Sequence, residues 1–348
     1  MKLIKPSDKR LTYSGRIDFD DPERPVFCYC GTSVSCRFFG TEVFAYISNT
    51  ENDWRDFLGY IIDGKQYCLE LDRDGQTHRL LLAQGLHSTW HDLVLFKRQD
   101  QCHYFKFEGL ETDGDIEKVV RPERRIEVIG DSISCGEVVE ANEFAGKPDP
   151  EHRGEYSNAY YSYGWQLARL LDAEIHITSE SGIALLDNTG YFNELGDSGA
   201  QGMESCFDCI EFNRNFHVFK KWDFNRYIPH IVIVALGQND AHPEDYMHHD
   251  YHCEKAVIWR KSYRAFVEKL MSLYPKTHII LATTILNHDK SWDEAIDEVC
   301  RSISSDRVTH FLYSRNGKAT PGHVRIAESE EMASELYRYI NACPHIWE

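Results

Sequence analysis

Ile126-Glu127-Val128-Ile129-Gly130-Asp131-Ser132-Ile133-Ser134-Cys135-Gly136 is the stretch on which the reading of this chain turns. A largely apolar run ends in Gly-Asp-Ser and then enters a turn of small residues. This pattern puts a serine hydroxyl at the carboxyl end of a strand, where open α/β sheets build their sites. The glycine just before lets a substrate approach the backbone, and the hydroxyl is a candidate nucleophile.

Working outward from that strand, β-like and helix-like segments alternate to the end of the chain. Strands are expected over 125–129, 173–178, 230–236, 277–282 and 307–312, and helices near 158–171, 258–273, 291–304 and 324–341. Tyr263, Phe266, Val267, Leu270 and Leu273 fall on one helical face, as do Met332, Ala333, Leu336 and Ile340. Pro275 closes the first of these two helices. Parallel strands need crossovers, so the alternation implies a mostly parallel sheet flanked by helices. Upstream the texture differs. Short period-two runs at 25–30, 33–39, 42–47 and 91–97 are separated by Gly31, Gly40, Asn49 and Gly75, which argues for an antiparallel β-sandwich. Asp113-Gly114-Asp115 is turn-like, and Arg121-Pro122-Glu123-Arg124 reads as a linker. The expected division is a sandwich over 1–118 and an α/β domain over 119–348. The linker is about ten residues, which favours a fixed arrangement of the two.

Composition narrows the partners. The chain has 348 residues, 42% of them hydrophobic, enough for roughly two domains of ~150 residues. A net charge of −18 argues against nucleic acid and anionic membranes and suits neutral substrates. Met1–Arg10 has no apolar core of a signal peptide, and no stretch reaches the ~20 apolar residues of a membrane span. Eleven scattered cysteines read as reduced thiols in a cytoplasm. Cys206 and Cys209 form a CxxC without a second pair and read as ordinary thiols. The segment from His242 to Cys253 carries His249 and His252 at a plausible ligand spacing. It reads instead as a polar loop rimming a cleft, and no metal is expected. Trp222, Trp259 and Trp292 could stack on sugar rings, but tryptophans are more often partly buried core residues.

Acyl transfer by serine needs a base and an oxyanion site besides the nucleophile. The buried-type run Ile231–Leu236 ends in Gly237-Gln238-Asn239-Asp240, so the Asn239 amide falls at the same sheet edge as Ser132 and can donate to an oxyanion. The strand over 173–178 leads to Ser181-Gly182-Ile183, where Gly182 can present a bare N–H. Among 17 histidines, His323 stands out because it follows Pro321-Gly322 and opens the last amphipathic helix. His310 lies inside a strand pattern and reads as structural.

Gly130-Asp131-Ser132, Gly182, Gly237-Gln238-Asn239-Asp240 and His323 resemble, in order and spacing, the four blocks of the SGNH (GDSL) hydrolase superfamily. The match is closer still to carbohydrate esterase family 2, whose members carry a jelly-roll-like β-sandwich ahead of a flavodoxin-like SGNH domain. Asn158-Ala159-Tyr160, Ser181-Gly182-Ile183, Trp222-Asp223-Phe224 and Met332-Ala333 resemble other recurring pieces of that family, and the resemblance covers nearly the whole chain. It implies that Ser132 attacks an acetyl ester. His323 would take its proton and return it to the departing sugar hydroxyl. The N–H groups of Ser132 and Gly182 and the Asn239 side chain would bind the oxyanion, with no cofactor. The implied substrates are acetylated oligosaccharides of xylan or mannan type, imported and deacetylated in the cytoplasm. Other SGNH activities (lipase, thioesterase, arylesterase) and a catalytically weak carbohydrate-binding protein are the alternatives.

This chain departs from the superfamily pattern at one point. The aspartate usually found two or three residues before the histidine is replaced by Pro321 and Thr320, the family's aromatic residue before the histidine by Gly322, and the usual proline after it by Val324. The expectation is therefore a Ser132–His323 dyad in which a backbone carbonyl orients the histidine.

Overall fold

The computed structural model describes residues 1–50, 55–191, 201–213 and 218–348. The N-terminal part builds two antiparallel six-stranded sheets. One is led by Val43–Asn49 and Phe105–Thr112, the other by Ser33–Gly40, Thr89–Lys97 and Asp56–Ile62. Inward-facing side chains of both, among them Phe38, Ala45, Leu58, Leu95 and Phe107, form one core. Burial alternates over 43–47, the period-two signature of a sheet packed on one face.

The second part holds a five-stranded, all-parallel sheet. Its strands are β1 (Arg124–Gly130), β2 (Ala173–Ser179), β3 (Ile231–Ala235), β4 (His278–Ala282) and β5 (Val308–His310), in the order β2-β1-β3-β4-β5. That order is the flavodoxin-like one, with its switch point between β1 and β3. Helices α1 (Tyr163–Leu171), α2 (Glu254–Leu273), α3 (Lys290–Ile303) and α4 (Ile326–Asn341) cover both faces. Val232 and Val234 pack with α2 and α3, whereas Ile231 and Ile233 pack with α1 and α4. Burial on both faces explains why β3 reads as an unbroken apolar run rather than an alternating one. Trp259 and Trp292 are fully buried in the first of these cores and Trp222 is 6% exposed, so the core reading of all three holds.

Several boundaries differ from expectation. The helix near 158–171 is split. Ala159–Tyr161 is a 3₁₀ turn, and Ser162 then starts α1 by accepting the Trp165 N–H. The last strand shortens to Val308–His310. Helix α4 begins at Ile326, so His323 precedes the helix instead of opening it. A two-stranded antiparallel sheet, Cys209–Asn213 with Val218–Lys221, was not expected.

The two parts interlock. Arg16, fully buried, donates to Glu127 of β1 at 2.9 Å and to the Cys209 carbonyl at 3.2 Å. Glu127 also accepts from Thr178 and Tyr274. Breaking a buried pair of this kind by removing one partner costs about 3–5 kcal/mol. Cys206 and Cys209 lie buried beside this junction, and burial pushes both thiols up.

Candidate active site

Strand register places the three blocks. Gly130 is the Cα partner of Ser179 on β2 and of Ala235 on β3, so β1, β2 and β3 end level with one another. Ser132, Gly182 and Asn239 follow those three strand ends and share one sheet edge, at the switch point. A one-turn helix, Ser132–Cys135, starts directly at the end of β1, with Asp131 as its cap accepting the Ile133 N–H at 3.0 Å. The turn comes so close over the strand that a Cβ on Gly130 would lie 2.1 Å from Ser134 Oγ. Asn158 braces the far side of this turn: its N–H donates to the Gly136 carbonyl at 2.9 Å and its side chain to Glu140 at 3.0 Å.

Gly182 has φ +76°, a left-handed conformation that favours glycine. Asn239 Nδ2 donates one hydrogen bond to the Ile183 carbonyl at 2.9 Å, which ties the Asn block to the Gly block. An amide nitrogen carries two hydrogens, so a second donor is left for a ligand. Asp240 accepts the Leu185 and Leu186 N–H groups at 2.8 and 3.1 Å. Burial raises its carboxyl to about 7 against those bonds. The sandwich contributes here as well. Asp100 accepts the Ser181 N–H at 3.2 Å, and the Gln101 N–H donates to Glu180 at 3.0 Å. A loop of the sandwich thus holds the two residues before Gly182.

The histidine differs from expectation. His323 Nδ1 lies 2.6 Å from Asp149 Oδ2, so a carboxylate, not a backbone carbonyl, orients the imidazole. The expected dyad geometry is corrected accordingly. Asp149 is 174 residues upstream, on the loop before α1, and it also accepts the His323 backbone N–H at 3.0 Å. Arg325, almost wholly buried, donates to its other oxygen at 2.8 Å. Burial alone would raise the Asp149 carboxyl. Hydrogen bonds from His152, His323 and Arg325 outweigh it and hold the group well below the usual carboxylate range.

Gly322 explains how a distant carboxylate reaches this position. A Cβ there would sit 2.2 Å from Asp149 Oδ1, so the carboxylate occupies the space that a side chain at 322 would need. The absence of a side chain at Gly322 is what lets the Asp149 carboxylate lie against His323. Thr320, by contrast, accepts the Gly146 N–H at 3.0 Å and buttresses the Asp149 loop. The Asp131 carboxyl is fully buried and raised by that burial to about 6, while the charges of His323 and His288 act on it in the opposite sense.

The polar segment after Asn239 contributes His242, Pro243, Glu244 and Tyr246 to a cavity of about 230 Å³ that also takes in Asp240 and Leu186. His249 and His252 are exposed. His310 faces Asp297 at 3.5 Å, away from these groups, in keeping with a structural role.

Comparison with known proteins agrees with this architecture. The family profile described as "Carbohydrate esterase 2 N-terminal" matches residues 13–122. A cellulase/esterase, CelE, from Acetivibrio thermocellus is 28% identical over 301 residues, which are 86% of this chain and 33% of that protein. This chain thus spans about a third of that relative's length. An acetylxylan esterase / glucomannan deacetylase from Cellvibrio japonicus is 26% identical over 352 residues, covering 96% of this chain and 88% of that one. A family two carbohydrate esterase from Clostridium thermocellum, solved in complex with cellohexaose, shares the fold. It has a TM-score of 0.80 at 24% identity and covers 97% of this chain and 99% of that one. In its N-terminal profile, these relatives and its two-part fold, the chain is similar to the carbohydrate esterases of family 2.

Proposed function

We propose that this protein is a carbohydrate O-acetyl esterase that releases acetate from acetylated oligosaccharides of xylan or mannan type. The observation that supports this best is the hydrogen-bonded His323–Asp149 pair, in a chain whose one sheet edge carries Ser132, Gly182 and Asn239. In this reading Ser132 Oγ attacks the acetyl carbonyl carbon while His323 Nε2 accepts the serine proton. Asp149 keeps the Nδ1 proton in place and stabilises the imidazolium. The Ser132 and Gly182 N–H groups and the Asn239 amide take the oxyanion. The sugar hydroxyl leaves with the proton from His323, and water, deprotonated by the same imidazole, frees acetate from Ser132. No step calls for a cofactor or metal.

The division at 118/119 belongs to the same proposal. The jelly-roll-like sandwich over 1–118 serves to shape and brace the catalytic half over 119–348, and the Asp100–Ser181 and Arg16–Glu127 contacts support that role. We place the enzyme in the cytoplasm, where its eleven cysteines, all free thiols, would stay reduced. Among the described residues no helix is long and apolar enough to cross a membrane. The test is acetate release from defined acetylated xylo- and manno-oligosaccharides, followed by NMR, beside p-nitrophenyl esters of rising chain length. The proposal requires acetate release that disappears in Ser132→Ala. Preference for long acyl chains, or equal rates in parent and Ser132→Ala, would overturn it.

A further inference from the structure

The carboxylate that holds His323 also meets a second imidazole. His152 Nε2 lies 3.3 Å from Asp149 Oδ2, the same oxygen that His323 Nδ1 approaches at 2.6 Å. The two rings stand edge to face with centroids 5.3 Å apart. On its other side His152 Nδ1 is 3.5 Å from Glu137 Oε1. A carboxylate behind an imidazole fixes the ring and tautomer of metal-binding histidines. Ligating atoms of Asp149, His152 and His323 all lie within 4.8 Å of one another. The His152 side chain is 40% exposed, which gives an ion a way in.

We propose that Asp149, His152 and His323 form an inhibitory zinc site, in which zinc bound by Asp149 Oδ2, His152 Nε2 and His323 Nδ1 takes the place of the His323–Asp149 proton. Two imidazoles and a carboxylate are a donor set suited to zinc, with a fourth position left for water. Ligand bonds of ~2.0–2.1 Å in a tetrahedron set neighbouring ligands about 3.3 Å apart. The Asp149–His152 edge already has that length, at 3.3 Å. The Asp149–His323 edge, at 2.6 Å, has to open by about 0.7 Å to reach it, and the two imidazole nitrogens have to come to the same spacing from within 4.8 Å. Arg325 stays on the other carboxylate oxygen.

The consequence follows from the two nitrogens of one ring. Zinc on Nδ1 requires that nitrogen to be unprotonated, so the neutral ring carries its proton on Nε2. The Nδ1 proton passes through solvent to Nε2, and the ring's charge is unchanged. Nε2–H is a donor and cannot take the proton of Ser132. Zinc therefore switches off hydrolysis without touching the nucleophile. This last step rests on the proposed role of His323 as base, whereas zinc binding itself does not.

The test uses the full chain and zinc chloride. Calorimetric titration of Ser132→Ala, which keeps all three ligands, is expected to show one zinc per chain at this site. Adding His152→Ala, or His152→Gln if the alanine variant does not fold, should weaken that binding by at least about tenfold. In kinetics, zinc should inhibit the parent reversibly, with EDTA restoring the rate. The zinc concentration for half inhibition, taken relative to each protein's own zinc-free rate, should rise by a similar factor in the His152 variant. Equal zinc binding with and without His152, no inhibition at millimolar zinc, or activation by zinc would each overturn the proposal. If zinc binds as described but no acetate is released from any ester, the esterase reading fails and the site stands. If acetate release depends on Ser132 but zinc does not bind, the site fails and the esterase reading stands.

Discussion

Two regions supply the candidate site, and they are held in place by different means. Ser132, Gly182 and Asn239 stand at the ends of β1, β2 and β3, whose register is set by a shared ladder with Gly130 at its centre. Asp149 stands on an irregular loop and is held by three side-chain partners, His152, His323 and Arg325. The strand-borne groups cannot shift without slipping a buried sheet, whereas the loop-borne acid depends on local fit. In the proposed triad, the acid would thus come from a different part of the chain, where the space next to the histidine is open. Gly322 provides that space.

Substitutions can break or sharpen this contrast. The largest effect is expected from Ser132→Ala, which should lower kcat by about 10⁶-fold with the fold retained, as judged by circular dichroism and acetate release. Asp149→Asn should lower kcat by about 10⁴-fold, because the amide no longer enforces the tautomer with Nδ1–H. A fall of only a few-fold would make the loop-borne acid an ornament and restore the dyad. The same variant carries a stability signature. The Asp149 carboxyl is depressed in the folded state, so its contribution is present above the unfolded value of about 3.9 and is lost as pH falls through the lower folded value. The Tm deficit of Asp149→Asn should therefore narrow on acidification.

Asn239→Ala is expected to cost about 10²–10³-fold in kcat with KM little changed, the mark of a donor that acts on the developing oxyanion. Gly322→Ala should cost about 10²-fold by displacing the carboxylate. Combined with Asp149→Asn it should cost no more than Asp149→Asn alone, since both act through one contact. Full additivity would show that Gly322 acts elsewhere. Thr320→Ala should change the rate by less than about tenfold, because its hydroxyl serves the loop backbone and not the imidazole.

The contrast also accounts for what could be read in the sequence. Unbroken apolar runs such as Ile231–Ala235 mark strands buried on both faces, and each ends in a recognisable Ser, Gly or Asn block. The sandwich ahead of them followed from period and texture, and the order of the blocks from the resemblance to the SGNH hydrolases. Polar edge strands such as Lys65–Leu71 were not legible, because most of their residues face solvent and lack the apolar alternation. Asp149 was not legible either. It lies in Pro148-Asp149-Pro150, a polar loop with no periodicity, and its partner is 174 residues away. Gly322 was the available signal: a glycine where the resemblance leads one to expect an aromatic residue leaves room that another group can fill. The tie between Asp100 and Ser181 was equally hidden, since it depends on how the sandwich docks.

The His323–Asp149 hydrogen bond is most directly tested by proton NMR of the His323 Nδ1–H, assigned with ¹⁵N-labelled histidine and a His323→Gln control. A far-downfield resonance is expected in the parent and in Thr320→Ala, and its loss is expected in Asp149→Ala. Persistence of that resonance in Asp149→Ala, with its loss in Thr320→Ala, would contradict the triad built on the distant loop.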